Sequence, residues 1–294
     1  MGLISDNPME VVETVEHMQE KVKAFRSAGH TVALVPTMGF LHEGHLELMR
    51  VGKQHASKLV ISIFVNPTQF GPTEDFNEYP RDTAGDLEKA REVGVDVVFM
   101  PSVNEMYPGH FQTTVQVESV TKHLCGILRP GHFDGVTTVV AKLFNIIEPD
   151  LAVFGEKDYQ QLTVIRRMVM DLNMDIRIVG APTYREPDGL AMSSRNSYLN
   201  PEERESALCL KKSLDLAEKM FQGGENDAAV IKNAVESLIR RYPFTAIDYV
   251  SLCNPETLED IATLEHETLL ALAVRVGKTR LIDNCVLRKA ADTA

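Results

Sequence analysis

No stretch of the sequence approaches the ~18 uninterrupted apolar residues of a membrane-spanning helix, so an integral membrane protein is not expected. The first twenty residues carry several acids and no apolar core segment, which argues against a secretory signal there. Cysteine is scarce and scattered. Cys125, Cys209, Cys253 and Cys285 lie far apart without Cys-x-x-Cys spacing, which disfavours a disulfide frame or a zinc site and fits the reduced thiols of a cytoplasmic protein. Basic residues are also short, 30 Lys+Arg against 42 Asp+Glu for a net charge of −12. A surface that acidic repels nucleic-acid backbones and anionic lipid alike, so neither is expected as a partner. Internal repeats and low-complexity tracts are absent. What is present is ordinary for a globular protein, 44% hydrophobic and 24% charged, and the length of 294 residues is about twice a ~150-residue domain.

Over the first two thirds, short β-branched runs alternate with amphipathic stretches. Strands are predicted at Thr31–Val35, Leu59–Val65, Val95–Met100, Leu151–Phe154 and Ile176–Val179, apolar enough to be buried on both faces. Helices are predicted at Met9–Ala28, Gly44–Ser57, Pro80–Val93, Phe133–Ile147 and Asp158–Asn173. Right-handed crossovers would lay those helices on two faces of one sheet, an α/β fold of the Rossmann-like, doubly wound parallel type. The pattern changes at Gly180–Thr183, where a Pro/Asp/Gly-rich segment reads as a linker. Domains at 1–183 and 184–294 follow. The second is expected to be a smaller α+β unit with helices at Pro201–Phe221 and Asp227–Arg241, a strand at Phe244–Leu252, and a hairpin turning at Gly277-Lys278.

Chemistry-bearing residues cluster where predicted strands end. Pro36 to His45 runs from the first strand into a helix and contains His-x-Gly-His. Glycines there admit close approach of an anion, and the helix N-terminus offers unpaired N–H groups. His42 and His45, three apart, share a face and could donate to one phosphate; a capped surface pair or a metal pair are the alternatives, with no third zinc-like ligand at suitable spacing. Asn66-Pro67-Thr68-Gln69-Phe70 follows the second strand, and Gly155-Glu156-Lys157-Asp158 follows the fourth, offering amides, a cation and a carboxylate for ribose hydroxyls. Met192-Ser193-Ser194-Arg195 adds hydroxyls and an Arg fork suited to phosphate oxygens. In open α/β sheets ligands bind beyond the carboxyl ends of the strands, so these polar loops are expected to serve one crevice.

Pro36–His45, Phe64–Gly71 with Tyr79-Pro80-Arg81, Arg129–Phe133, Gly155–Gln161, Asp188–Leu199 and Arg275–Asn284 together resemble the pantothenate synthetase (pantoate–β-alanine ligase) family of His-x-Gly-His nucleotidyltransferases. The resemblance extends over nearly the whole chain. It implies ATP-driven condensation of pantoate with β-alanine through a pantoyl adenylate, releasing pyrophosphate and then AMP. It places ATP against Met38, Gly39, Phe40, Leu41, His42, Glu43, Gly44 and His45, against Gly155, Glu156, Lys157 and Asp158, against the Tyr184 backbone, and against Met192, Ser193, Ser194 and Arg195. His45 is the proton donor, with His42, Lys157, Ser193, Ser194 and Arg195 as further catalytic groups. Gln69 and Gln161 hold pantoate, with Asn66 and Met38 beside it and Gln69 also near β-alanine. Magnesium accompanies ATP through phosphate oxygens and water, without a protein cage. Pro36, Met38 and Phe70 supply an apolar wall for the gem-dimethyl group, and the loop Gly71–Tyr79 and the C-terminal domain act as covers. Arg129 and His132 are expected to shape the pocket mouth or a dimer contact, with a catalytic role as the alternative, and a cytoplasmic homodimer is implied. The rival readings are a nucleotidylyltransferase and a nucleotide-binding regulatory module.

Overall fold

The computed structural model describes residues 9–72, 74–265 and 267–289. In chain order its larger elements begin β1 (Glu10–Val12), α1 (Val15–Ser27), β2 (Val32–Thr37), α2 (Glu43–His55), β3 (Lys58–Ile63), α3 (Thr83–Val93), β4 (Val97–Phe99) and α4 (Val103–Met106). They continue with α5 (Cys125–Leu128), α6 (His132–Ile147), β5 (Leu151–Gly155), α7 (Tyr159–Asp171), β6 (Arg177–Ala181), α8 (Pro201–Ala207), α9 (Cys209–Gln222) and α10 (Ala228–Ile239). β7 (Thr245–Cys253), β8 (Glu267–Val276) and β9 (Thr279–Arg288) complete the series. No helix among the described residues is long and apolar enough to cross a membrane.

The chain forms two compact units. Among the described residues, the first comprises those in 9–117, 129–156 and 164–182 and holds a six-stranded parallel sheet in the order β1-β4-β3-β2-β5-β6. β2 and β3 bury almost every side chain between helices, so their apolar runs lack the alternation of a one-sided sheet. From β2 the order proceeds to β3 and β4 on one side and to β5 and β6 on the other. The direction therefore switches between β2 and β5, the place where a doubly wound sheet opens a crevice beyond its carboxyl ends.

The second unit comprises the described residues in 118–128, 157–163 and 183–289. Its antiparallel sheet runs β7-β8-β9, with Val276 paired to Thr279 across the Gly277-Lys278 turn. Leu210, Leu214 and Phe221 of α9 and Ile231 and Val235 of α10 pack with Leu270, Leu272 and Val274 of β8 in its core.

Three local expectations need correction. Met9–Ala28 is not one helix: Glu10–Val12 pairs with β4, and Thr14 caps the helix by accepting the His17 N–H. Pro201–Phe221 breaks at Leu208 into α8 and α9. The segment after Pro182 is no open linker. Arg185 bridges to Ala191, the Met192 N–H donates to the Tyr184 carbonyl (3.0 Å), and the Glu186 N–H donates to Leu190 (2.9 Å), which makes a small hairpin.

A single cut at 183/184 also differs from the observed division, because 118–128 and 157–163 pack with the second unit. Gln160 supplies a physical reason. Its side chain donates to the carbonyls of Val120 (2.9 Å) and His123 (2.8 Å) and accepts from the Cys125 N–H (2.9 Å), tying the two excursions together.

Candidate active site

In the first unit, β2 delivers the chain into a turn that only a few backbone conformations allow. Gly39 has φ +82° and Phe40 has φ +50°. A Cβ on Gly39 would lie 2.9 Å from Asp86 Oδ2, so a side chain is excluded on both counts. Asp86, 1% exposed in the first turn of α3, accepts the N–H groups of Phe40 (2.8 Å) and Leu41 (2.6 Å), while Lys89 one turn on donates to the Leu41 carbonyl (2.7 Å). The backbone donors of Phe40 and Leu41 are thus consumed by a buried carboxylate. What the turn presents for an anion is the start of α2 and the two histidines.

The imidazoles of His42 and His45 stack with centroids 4.0 Å apart and planes inclined by 29°. The His42 N–H donates to His45 Nδ1 at 3.3 Å, which assigns the ring proton of His45 to Nε2 and leaves that nitrogen a donor. Glu43 and Gly44 occupy the first turn of α2 between them.

β3 leads into a 3₁₀ turn, Pro67–Gln69. Asn66, 1% exposed, donates to Gln69 Oε1 (3.2 Å) and to the Gly135 carbonyl (3.1 Å), and accepts from Tyr107 Oη (2.8 Å) and Thr68 Oγ1 (2.9 Å). Both amide hydrogens and the carbonyl oxygen are therefore occupied. Burial pushes the Tyr107 phenol up despite its bonds to Thr68 and Asn66, so it stays protonated and donating. α6 presses against this turn so closely that a Cβ on Gly135 would run into the Thr68 carbonyl. With Oε1 pinned by Asn66, Gln69 Nε2 faces Met38 Sδ at 3.1 Å, and its second hydrogen remains for a ligand.

β5 ends at Gly155, where an added Cβ would meet nothing within 4 Å, and Glu156 follows. Lys157 and Asp158 continue a 3₁₀ turn counted with the second unit. There Asn284 Nδ2 donates to the Lys157 carbonyl (2.9 Å), and among the described residues no partner engages the Lys157 ammonium. Gln161 lies half-buried in the first turn of α7, and its amide likewise has no hydrogen bond among them.

Ser193 accepts the Arg195 N–H (3.3 Å) and caps a 3₁₀ helix, Ser194–Tyr198. Asn196 fastens that turn to the hairpin, donating to Glu186 (2.6 Å) and to the Ala191 carbonyl (3.1 Å). Arg185 fixes the hairpin with a two-pronged pair to Asp283, Nη1 to Oδ2 at 2.8 Å and Nη2 to Oδ1 at 3.0 Å. Tyr184 itself is exposed.

The structure thus joins His42 with His45, Met38 and Asn66 with Gln69, Tyr184 with Met192, and Ser193 with Arg195. It adds supporting residues that motif spacing does not reveal. Asp86 had one visible signal, an acid four residues before Ala90 on the face that α3 buries. Gln160 and Asn284 had none beyond polarity. Among the described residues no three His, Cys, Asp or Glu side chains are gathered as a metal ion would need, and Asp86 is already committed to two N–H groups.

Residues 10–286 match the family model described as pantoate-beta-alanine ligase. Pantothenate synthetase of Syntrophus aciditrophicus is 57% identical over 278 residues, covering 95% of this chain and 97% of its own. That of Geobacter sulfurreducens is 58% identical over 279 residues, covering 95% and 99%. The solved pantothenate synthetase from Thermus thermophilus gives a TM-score of 0.91 at 44% identity over 95% of this chain and all of that one (100%). The Francisella tularensis pantoate-beta-alanine ligase, solved with beta-gamma ATP and beta-alanine, gives 0.78 at 31% identity over 95% and 97%. The expected α/β fold and the expected enzyme class both hold, and the chain belongs to the pantoate–β-alanine ligase family.

Proposed function

We propose that the chain makes pantothenate in two steps on one ATP. The pantoate carboxylate attacks the α-phosphorus and expels pyrophosphate; the β-alanine amine then attacks the acyl carbon of pantoyl adenylate and expels AMP. The observation that carries this reading is the pre-aimed Gln69 amide. A neutral N–H, held in place by Asn66 before substrate arrives, orients a carboxylate nucleophile while withdrawing less charge from it than an Arg or Lys would. Gln161 is assigned the second amide toward pantoate. In this scheme Asn66 is a positioning residue, since its own amide is fully engaged within the protein.

Charge builds on the phosphates as pyrophosphate departs, and fixed donors stabilise it most where they need no rearrangement. His45 Nε2–H is assigned to the bridging oxygen that leaves with pyrophosphate, with His42, Lys157, Ser193, Ser194 and Arg195 as the other donors. Gly39, Glu43, Gly44, Gly155, Glu156, Asp158, Tyr184 and Met192 complete the ATP surface, and Phe40 and Leu41 serve by shaping the turn because their N–H groups belong to Asp86. Magnesium enters as part of the MgATP substrate. A cytoplasmic homodimer is proposed on the family resemblance.

The test is isotope exchange. Enzyme, MgATP and pantoate should exchange labelled pyrophosphate into ATP with β-alanine absent, and adding β-alanine should release stoichiometric AMP and pantothenate. His45→Ala should retain the fold and slow exchange by about 10²–10³, the cost of one preorganised donor. Absence of pantoate-dependent exchange in a folded, ATP-binding protein would favour the regulatory module. Exchange supported by a phosphate ester in place of pantoate would favour the nucleotidylyltransferase.

A further inference from the structure

Gln69 is held by its main chain as well as its side chain. His132 Nδ1 lies 2.8 Å from the Gln69 carbonyl oxygen, and Arg129 Nη2 lies 3.3 Å from the same atom. A carbonyl only accepts, so His132 carries its proton on Nδ1. Its Nε2 lies 3.1 Å from Arg129 Nη1, which only donates, so that nitrogen is a lone-pair acceptor. The two contacts together select one neutral tautomer of His132.

Arg129 faces the other way as well. Its Nε and Nη2 grip Glu74 at 2.6 and 2.5 Å, a fork-to-carboxylate pair only partly exposed on either side. Glu74 belongs to the loop after Gln69, which is further anchored by Phe70 against Phe76 (5.4 Å) and Tyr79 (6.0 Å). One guanidinium therefore ties together the carbonyl of Gln69, the ring of His132 and the carboxylate of the neighbouring loop. None of the three side chains needs to touch substrate for this.

We infer that Glu74, Arg129 and His132 form a latch that sets the Gln69 amide for pantoate and couples its position to the loop residues 74–79. The inference rests on the assignment of Gln69 to pantoate. Arg129 and His132 are then positioning residues acting through the Gln69 main chain, distinct from the groups that bind phosphate. Because attack geometry falls off steeply with small displacements of the nucleophile, loosening the latch should weaken use of pantoate and leave use of ATP alone.

Steady-state kinetics with each substrate varied separately will test it, alongside thermal unfolding and limited proteolysis of the loop. His132→Ala should raise KM for pantoate and lower kcat/KM for pantoate by about tenfold in total, with KM for ATP within about twofold of wild type. His132→Asn, whose side-chain N–H can occupy the place of Nδ1–H, should recover most of the loss. Arg129→Lys keeps the charge without the fork and should show the same split, and Glu74→Gln should show a smaller one with faster cleavage in the loop. Equal changes for pantoate and ATP, or an Asn variant no better than Ala, would overturn the latch. A wild-type enzyme that turns over pantoate with variants unchanged would overturn the latch alone, whereas a wild type indifferent to pantoate would remove the Gln69 assignment and the latch with it.

Discussion

The two units position their chemistry by different means. In the first, the histidine turn, the Asn66–Gln69 turn and Gly155 all leave carboxyl ends of parallel strands, so strand order brings them to the switch between β2 and β5 and its flank. Buried partners then lock what topology has placed: Asp86 behind the histidine turn, and Tyr107 and Gly135 behind Asn66. In the second unit the antiparallel sheet supplies a platform with no comparable row of strand ends. Lys157 and the stretch from Tyr184 to Arg195 lie on irregular segments, each fastened by a side chain gripping main chain or by a buried ion pair. In the first arrangement strand order already places the loops, whereas the second rests on its own hairpin bonds and side-chain fasteners.

The largest expected effect follows from the most buried of those fasteners. Asp283, 2% exposed, holds both outer nitrogens of Arg185 and also accepts the Asn284 N–H (2.9 Å). Asp283→Ala would leave a half-buried guanidinium with no carboxylate and only the Gly189 carbonyl (3.1 Å), and should cost ~3–5 kcal/mol of stability, read as a lower urea midpoint by circular dichroism. Replacing the pair together with Leu and Met of similar volume should cost far less, since a buried ion pair only narrowly recovers its desolvation. An Asp283→Ala midpoint equal to wild type would show that the hairpin does not depend on this pair.

The matching change in the first unit should hurt chemistry as well as stability. Gly135→Ala pushes a methyl at the Thr68 carbonyl, so α6 or the 3₁₀ turn must yield. Overpacking of this kind costs ~1–3 kcal/mol, while displacement of Gln69 by a fraction of an ångström to an ångström should lower kcat/KM for pantoate by about 10²-fold. Wild-type kinetics in that variant would mean that the turn tolerates displacement and that backbone locking is not what aims Gln69.

The same contrast explains what the sequence discloses. Buried parallel strands announce themselves by β-branched runs, and loops that follow them inherit a place, so the histidine turn, Asn66–Gln69 and Gly155–Asp158 are readable from spacing. The groups that finish the geometry are single polar residues on helix faces or strands. Gln160 and Asn284 look like solvated side chains until the fold brings a carbonyl 40 and 127 residues away to meet them, and Asp86, an acid on the buried face of α3, shows no partner until N–H groups up to 46 residues away arrive. The edge strand Glu10–Val12 escaped for a related reason: three residues are too few for a period, and its pairing with β4 is tertiary. The division of the chain into units is obscured likewise, because Gln160 recruits 118–128 through contacts that have no local signature.

The smallest effect separates the two units by acid and salt. Burial alone would raise the Glu74 carboxyl, yet hydrogen bonds and charge from Arg129 hold it below its ordinary 4.5; burial likewise opposes, and Arg204 outweighs, at Asp188, which is held below 3.8. A depressed folded-state pKa contributes stability that is fully present above the unfolded value and is lost as pH falls through the folded one. The stability difference between wild type and Glu74→Gln should therefore be constant from neutrality down to about pH 5, then shrink below the ordinary value and vanish once the native carboxyl is protonated. The same course is expected for Asp188→Asn, shifted to lower pH. Salt distinguishes them. Asp188 and Arg204 are each about one-third exposed (33% and 35%), so ~0.5 M NaCl should erase most of their contribution, whereas the Glu74–Arg129 fork, at 25% and 20%, should keep more of its own. Urea midpoints of the three proteins across pH 7 to 3 at low and high salt decide the matter. A Glu74→Gln difference that grows on acidification would contradict the sign, and equal salt sensitivity at the two sites would show that both fasteners are surface pairs of one kind.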